Sequence, residues 1–353
     1  MSKTTKNNLI TYGIVIAFYI IMQILMGAGV VSNLIKGLLV PICVYSMLAI
    51  SLNLTVGVLG ELSLGHAGFM CLGAFSGAFF SKCFAGTMPD LVCFICAILV
   101  GAAVAAIGGV LIGVPVLRLR GDYLAIVTLA FGEIIMNIMG VLYVGKDKNG
   151  IQFDMNMGET IELAEDGEMI LSGPMGIMGT PRYANFTIGI ILLILSLAII
   201  LNLINSRTGR AVMAIRDDRI AAESTGVNIT KYKLMAFTVS AMIAGAAGVL
   251  YAHNYYILQP SPTNFGYNMS IMILVYVVLG GIGRIRGSVI AATVLVALPE
   301  LLRLIGMDQY RMLIYAVLLI AIMIYNWSPK ALEWREKHSF IKKKGDNNNV
   351  NKQ

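Results

Sequence analysis

Apolar runs about as long as a bilayer is thick recur along this chain, and that spacing leaves few ways to fold it. Crossing the roughly 30 Å hydrocarbon core takes about 20 consecutive apolar residues in a helix. Residues 9–31 already form such a run. Across all 353 residues 58% are hydrophobic and only 13% charged, and the mean hydropathy is +0.79. No soluble globular domain of this length needs so much apolar surface. The expected class is an all-α polytopic membrane protein.

Taken in order, Lys3 and Lys6 precede the first run. Its length, and the lack of a small-x-small cleavage site, mark a retained span with its N-terminus inside. Residues 38–58 make the second run, with Pro41 near its start. The stretch Gly60-Glu61-Leu62-Ser63-Leu64-Gly65-His66-Ala67-Gly68-Phe69 follows at membrane depth. Its freed backbone groups need partners inside protein or water, so a broken or closely packed helix beside a cavity is expected. Residues 91–117 carry Gly101, Ala102, Ala105, Gly108 and Gly109, a face that lets another helix come close. Spans follow from Tyr123, over 185–204, and over 234–253, where Gly245 and Gly248 offer a second such face. Residues 269–279 and 289–298 each fall short of a simple span. Either they enter tilted and meet at a cytoplasmic turn, or one is re-entrant. Residues 312–327 form the last run. About ten membrane segments with both termini cytoplasmic is the reading adopted, and eight or nine with re-entrant pieces is the alternative. Residues 1–330 are then the transmembrane domain and 331–353 a basic cytoplasmic tail, disordered at its end.

The net charge of +7 is gathered in two places, the loop 206–233 and the tail. It reports orientation and contact with lipid headgroups, and no continuous basic face for nucleic acid is present. The cysteines Cys43, Cys71, Cys83, Cys93 and Cys96 sit in or beside apolar runs, so no metal site is expected. Residues 146–182 are acidic: Asp147, Asp154, Glu159, Glu162, Glu165, Asp166 and Glu168 stand against Lys146, Lys148 and Arg182. Poverty in basic residues places this loop outside, as the surface for an extracytoplasmic partner or as an exposed loop without one. Gly140 to Lys146 spells a phosphate-loop pattern, but Asp147 replaces its Ser/Thr and a membrane helix precedes it. No ATP site or other cofactor site is expected in this chain, so energy has to come from another subunit or an ion gradient.

The polar loop 206–233 carries Arg207, Arg210, Arg216, Arg219, Lys231 and Lys233, which hold it on the cytoplasmic side. Asp217 or Asp218 can cap a short helix through Ile220 to Glu223, and Gly226 can take the left-handed stop. Such a loop either only sets topology or serves as a handle for a partner. The run Arg216-Asp217-Asp218, Ala221-Ala222-Glu223, Gly226-Val227-Asn228 and Tyr232-Lys233-Leu234 resembles the Glu-Ala-Ala loop of ABC-importer permeases. It is similar in particular to the branched-chain amino-acid permease family of the LivM type. Further resemblances lie in Ser63-Leu64-Gly65-His66, in the phrase from Arg118-Leu119-Arg120-Gly121-Asp122-Tyr123 to Glu133-Ile134, in Ser172-Gly173-Pro174, and in Gly280 to Ser288.

The resemblance implies a permease subunit, not an enzyme. Such a subunit supplies half of the path for branched-chain or other hydrophobic amino acids, with Arg216, Asp217, Asp218, Ala221, Ala222, Glu223 and Gly226 on the ATPase-coupling surface. It implies as partners a paralogous permease, two cytoplasmic ATPases and an extracytoplasmic solute-binding protein. Close relatives carry urea and short amides, and an ion-coupled secondary transporter is the rival class. That rival calls for inverted repeats, which are not evident in the sequence.

Ionisable and polar groups inside spans are costly and so become candidates for the path. Glu133 lies within an apolar helix and could meet a substrate ammonium or tie helices together. His66 could face the path or cap a broken helix. Ser63 and Thr128 complete the candidates, with Asn53 and Asn137 weaker.

Overall fold

The computed structural model describes residues 3–29, 32–117, 119, 121–147, 150–155 and 167–304, with isolated positions between 310 and 324. The chain divides into a unit Met1–Ala297 and a second unit Leu298–Gln353. In the second unit Glu300 and Arg303 approach to 3.8 Å one turn apart. The tail 331–353 lies outside the described residues, as do Arg118, Arg120, Glu159, Glu162, Glu165, Asp166 and most of the expected last span.

The first long helix, α1 (Lys3–Gly27), is followed by α2 (Asn33–Asn53), which runs on into a π-helical turn, Leu54–Leu59. Gly60, at φ +81°, ends it in the left-handed conformation that glycine adopts without strain. An irregular segment crosses to α3 (His66–Phe84), which is the break foreseen around Ser63 and His66. Helices α4 (Asp90–Val116) and α5 (Asp122–Val141) complete the first half. Strands β1 (Tyr143–Asp147), β2 (Gly150–Asp154) and β3 (Glu168–Ser172) follow, and β4 (Ile177–Met178) leads to α6 (Phe186–Asn205). The polar loop folds as α7 (Arg207–Asp217) and α8 (Arg219–Ser224), and α9 (Ile229–Ala252) crosses back. Strand β5 (Ile257–Leu258) pairs with β4, and α10 (Pro262–Phe265), α11 (Tyr267–Gly280) and α12 (Ile285–Leu304) close the described fold.

Among the described residues nine helical segments are long and apolar enough to cross a membrane. The two short runs near the C-terminal end become Pro262–Gly280 and Ile285–Arg303, each 19 residues. The helices extend through polar ends that apolar counting leaves out. They form a tight hairpin, since a Cβ built on Gly287 would lie 1.7 Å from the Gly280 oxygen.

The interior lies where α3, α4 and α9 meet, close enough that glycines of one helix touch the backbone of the next. A Cβ on Gly73 would fall 2.2 Å from the Gly245 oxygen, one on Gly245 2.4 Å from Ala105 Cβ, and one on Gly248 2.1 Å from the Met70 oxygen. Between membrane helices the hydrophobic effect offers little, so close backbone contact and buried hydrogen bonds carry the association. His66 Nε2 meets Ser240 Oγ at 2.9 Å, Ser240 Oγ donates to the Ser51 carbonyl at 2.5 Å, and His253 Nε2 meets Ser81 Oγ at 2.8 Å. Phe69, fully buried, sets its ring edge to face against Phe237 at 5.5 Å.

The helix ends sort into two groups. The turns at 121–122, 206–228 and 281–284 gather at one end, and those at 85–89, 142–147, 167–185 and 253–261 at the other. The acidic loop is not plain coil: β2, β1 and β3 form a small antiparallel sheet. Lys146 pins it to the helices by donating to the Cys83 carbonyl at 2.6 Å, and Glu168 pairs with Lys82 at 2.8 Å.

Candidate functional site

The polar loop is built by caps. Ser206 starts α7 by accepting the Gly209 N–H at 3.1 Å. Asp218, in extended conformation, both stops α7 and starts α8, its Oδ1 accepting from the N–H groups of Ile220 at 2.9 Å and Ala221 at 3.0 Å. At the other end Gly226, at φ +84°, donates to Glu223 O at 3.0 Å while Val227 donates to Ala222 O at 3.1 Å. That pair of bonds is a Schellman stop, which satisfies the orphan carbonyls of the last turn. Asn228 then caps α9 through Lys231 N–H at 3.0 Å.

These caps fix which face of α8 looks outward. Ala222 turns in, joining Ile215 and Ile229 in a small buried cluster flanked by Val227 and Tyr232. Ile220 turns out and is 81% exposed, with Arg216, Asp217, Asp218 and Glu223 also exposed around it. Ile220 therefore stands as a bare apolar knob ringed by charges, on a helix anchored from beneath. Of the seven residues expected on this surface, Arg216, Asp217, Asp218, Ala221, Glu223 and Gly226 are exposed, and Ala222 lies buried beneath them.

Beside the knob a cleft of about 670 Å³ opens between the loop, the end of the π turn and the start of α5. Two links across it were not foreseen. Lys233 and Glu61 form an ion pair, their side chains only 6% and 14% exposed. Arg216 donates from Nη1 to the Gly57 carbonyl at 2.9 Å while its other nitrogens hold Asp217. The sequence carries a signal for the ion pair. Glu61 is a lone carboxylate between two apolar runs, a costly place for a charge without a partner.

The four candidates for the path separate into two groups. Ser63, His66 and Thr128 meet where the irregular segment passes α5. Thr128 Oγ1 accepts the Leu64 N–H at 3.0 Å and donates to Ala125 O at 3.0 Å, and a Cβ on Gly65 would lie 2.5 Å from the Thr128 oxygen. Ser63 is fully buried, its hydroxyl without a partner among the described residues, and His66 is tied to Ser240. Glu133 stands apart, more than a turn along α5 toward the outer end. Its Oε1 accepts the Tyr267 N–H at 2.5 Å, so it caps the start of α11. Of the weaker candidates, Asn53 is fully buried and Asn137 donates to the Glu133 carbonyl at 2.7 Å.

A bundle of apolar helices long enough to cross a membrane, with a capped, anchored loop at its arginine-rich end, defines a multi-pass membrane protein. The model of the family described as "Branched-chain amino acid transport system / permease component" matches residues 34–323, and the chain belongs to that family. It is 36% identical over 300 residues to the high-affinity branched-chain amino acid transport system permease protein LivM of Salmonella typhimurium, covering 82% of this chain and 67% of that protein. It is 25% identical over 290 residues to the ribose import permease protein RbsC of Escherichia coli, covering 80% and 82%. To the LivH permease protein of Salmonella typhimurium it is 26% identical over 159 residues, covering 45% and 51%. No solved structure gives a significant match. The apolar helices and these relatives make it a multi-pass protein of the bacterial inner membrane.

Proposed function

We propose that this chain is the permease subunit of an ATP-driven importer and supplies half of the translocation path for branched-chain or other hydrophobic amino acids. A second, paralogous permease supplies the other half. Two cytoplasmic ATPases grip the loops, and an extracytoplasmic binding protein selects and delivers the solute. The observation that carries this reading is the capped α8, with Ile220 exposed between Arg216, Asp217 and Glu223. A loop that merely set topology would need the arginines but neither the two caps nor the buried anchor beneath them.

In this scheme ATP-driven closure of the ATPases displaces α7 and α8. Because the two states then differ in the contacts they make, hydrolysis shifts the balance between outward- and inward-open forms. The path itself needs only weak attraction, since a tight site would slow release on the inner side. Isolation of the chain from mild-detergent extracts of native membranes tests the assembly. ATPase subunits are expected with the unmodified chain and are depleted when Arg216, Asp217 and Glu223 are all replaced by alanine. Recovery of equal ATPase from both removes the coupling surface. Right-side-out vesicles supplied with binding protein and leucine test the solute, with uptake that depends on this chain as the expected outcome.

A further inference from the structure

The π-helical turn Leu54–Leu59 is held from two sides. From the loop, Arg216 donates to the Gly57 carbonyl at 2.9 Å and Lys233 pairs with Glu61 just past the turn. The Arg216 stem fills the space beside Gly60, where an added Cβ would lie 2.5 Å from Arg216 Cγ. From the other side Asn53, fully buried, accepts the Gly283 N–H on Oδ1 at 2.8 Å and donates from Nδ2 to Ser288 Oγ at 2.7 Å. A Cβ on Gly57 would fall 2.3 Å from the Gly283 nitrogen, so the π turn and the turn at 281–284 touch backbone to backbone.

The chemistry of each link suits a mechanical joint. The last carbonyls of a helix lack intrahelical partners, and the Gly57 carbonyl in that position is taken by a guanidinium from a different element. π turns are strained insertions that recur at functional sites, where the helix axis has to shift. Directional bonds on both faces make the turn follow the loop instead of sliding past it, and a close-packed interior transmits such displacements.

We propose that the π turn is the strut through which α7 and α8 move the turn between α11 and α12, with Asn53, Glu61, Arg216 and Lys233 as its positioning residues. The proposal rests on the reading of the chain as a permease driven by ATPase subunits. A push on α8 acts on Arg216 and Lys233, these carry the end of α2 with them, and Asn53 passes the movement to Gly283.

The test uses the complete assembly in proteoliposomes with leucine-loaded binding protein, measuring leucine uptake and ATP hydrolysis on the same vesicles. Asn53→Ala removes both bonds to the α11–α12 turn, and Ser288→Ala removes one while keeping the Gly283 link. The ATP hydrolysed per leucine moved is expected to rise roughly fivefold for Asn53→Ala and about twofold for Ser288→Ala, with hydrolysis itself within about twofold of the unmodified assembly. An unchanged ratio, or uptake and hydrolysis falling in parallel, overturns the strut and leaves the permease reading standing. If no ATPase assembles with the unmodified chain, the permease reading fails first and the strut fails with it.

Discussion

At the scale of single residues the loop depends on a few polar atoms whose removal has calculable effects. Asp218 alone satisfies two N–H groups at the start of α8. Asp218→Ala is expected to cost about 1 kcal/mol of local stability. Amide hydrogen exchange at Ile220 and Ala221 should then quicken several-fold while α9 exchanges as before. Glu61 and Lys233 present a different balance, because a buried ion pair contributes little net stability while either half alone is expensive. Lys233→Met leaves the Glu61 carboxylate buried and unpaired, a loss of roughly 3–5 kcal/mol. Adding Glu61→Gln should restore most of it. Thermal unfolding of the detergent-solubilised chain reads both steps, and equal midpoints for Lys233→Met and the double variant would sink the account. Of the two, only Glu61 carried a signal in the sequence, as a lone carboxylate between apolar runs. Lys233 reads there as one more topology-setting base, and only the fold shows that it lies inside the first turns of α9.

At the scale of elements the close contact of α3, α4 and α9 makes its own prediction. A methyl group at Gly73 has to push the Gly245 backbone away, whereas one at Gly13 on α1 meets nothing within 4 Å. Gly73→Ala should therefore cost about 1–3 kcal/mol of stability and Gly13→Ala almost nothing, a difference that the unfolding midpoints of the two variants will register. This interface was legible beforehand, because Gly101, Ala105, Gly245 and Gly248 recur at helical spacing in otherwise apolar runs. The caps of α8 were legible for the same kind of reason: Asp and Gly have narrow conformational uses. The outer sheet was not. Its strands are five residues long and mix apolar with charged residues, and the Lys146 and Glu168 side chains that hold it reach partners on α3, far away in sequence. The π turn was equally hidden, since Leu54–Leu59 has the composition of any helix and owes its geometry to Asn53, Arg216 and Gly283.

At the scale of the whole molecule, orientation is the property most strongly implied by charge and most directly checked. In a cysteine-free background, Met155→Cys should react with a membrane-impermeant maleimide added outside, and Ile220→Cys only with a permeant one. The reverse pattern would turn the entire assignment of loops over. The interior contacts also bear on how the protein is made. Helix α9 begins at Ile229, about 110 residues after α4 ends at Val116, which at roughly 5–20 residues per second is a wait of several seconds or more. Throughout that interval the glycines of α3 and α4 that α9 will cover, and the Ser81 hydroxyl that will later meet His253, lack that partner. A ribosome stalled between α6 and α9 should therefore leave a chain whose first five helices are inserted but still open to protease and to insertase crosslinking.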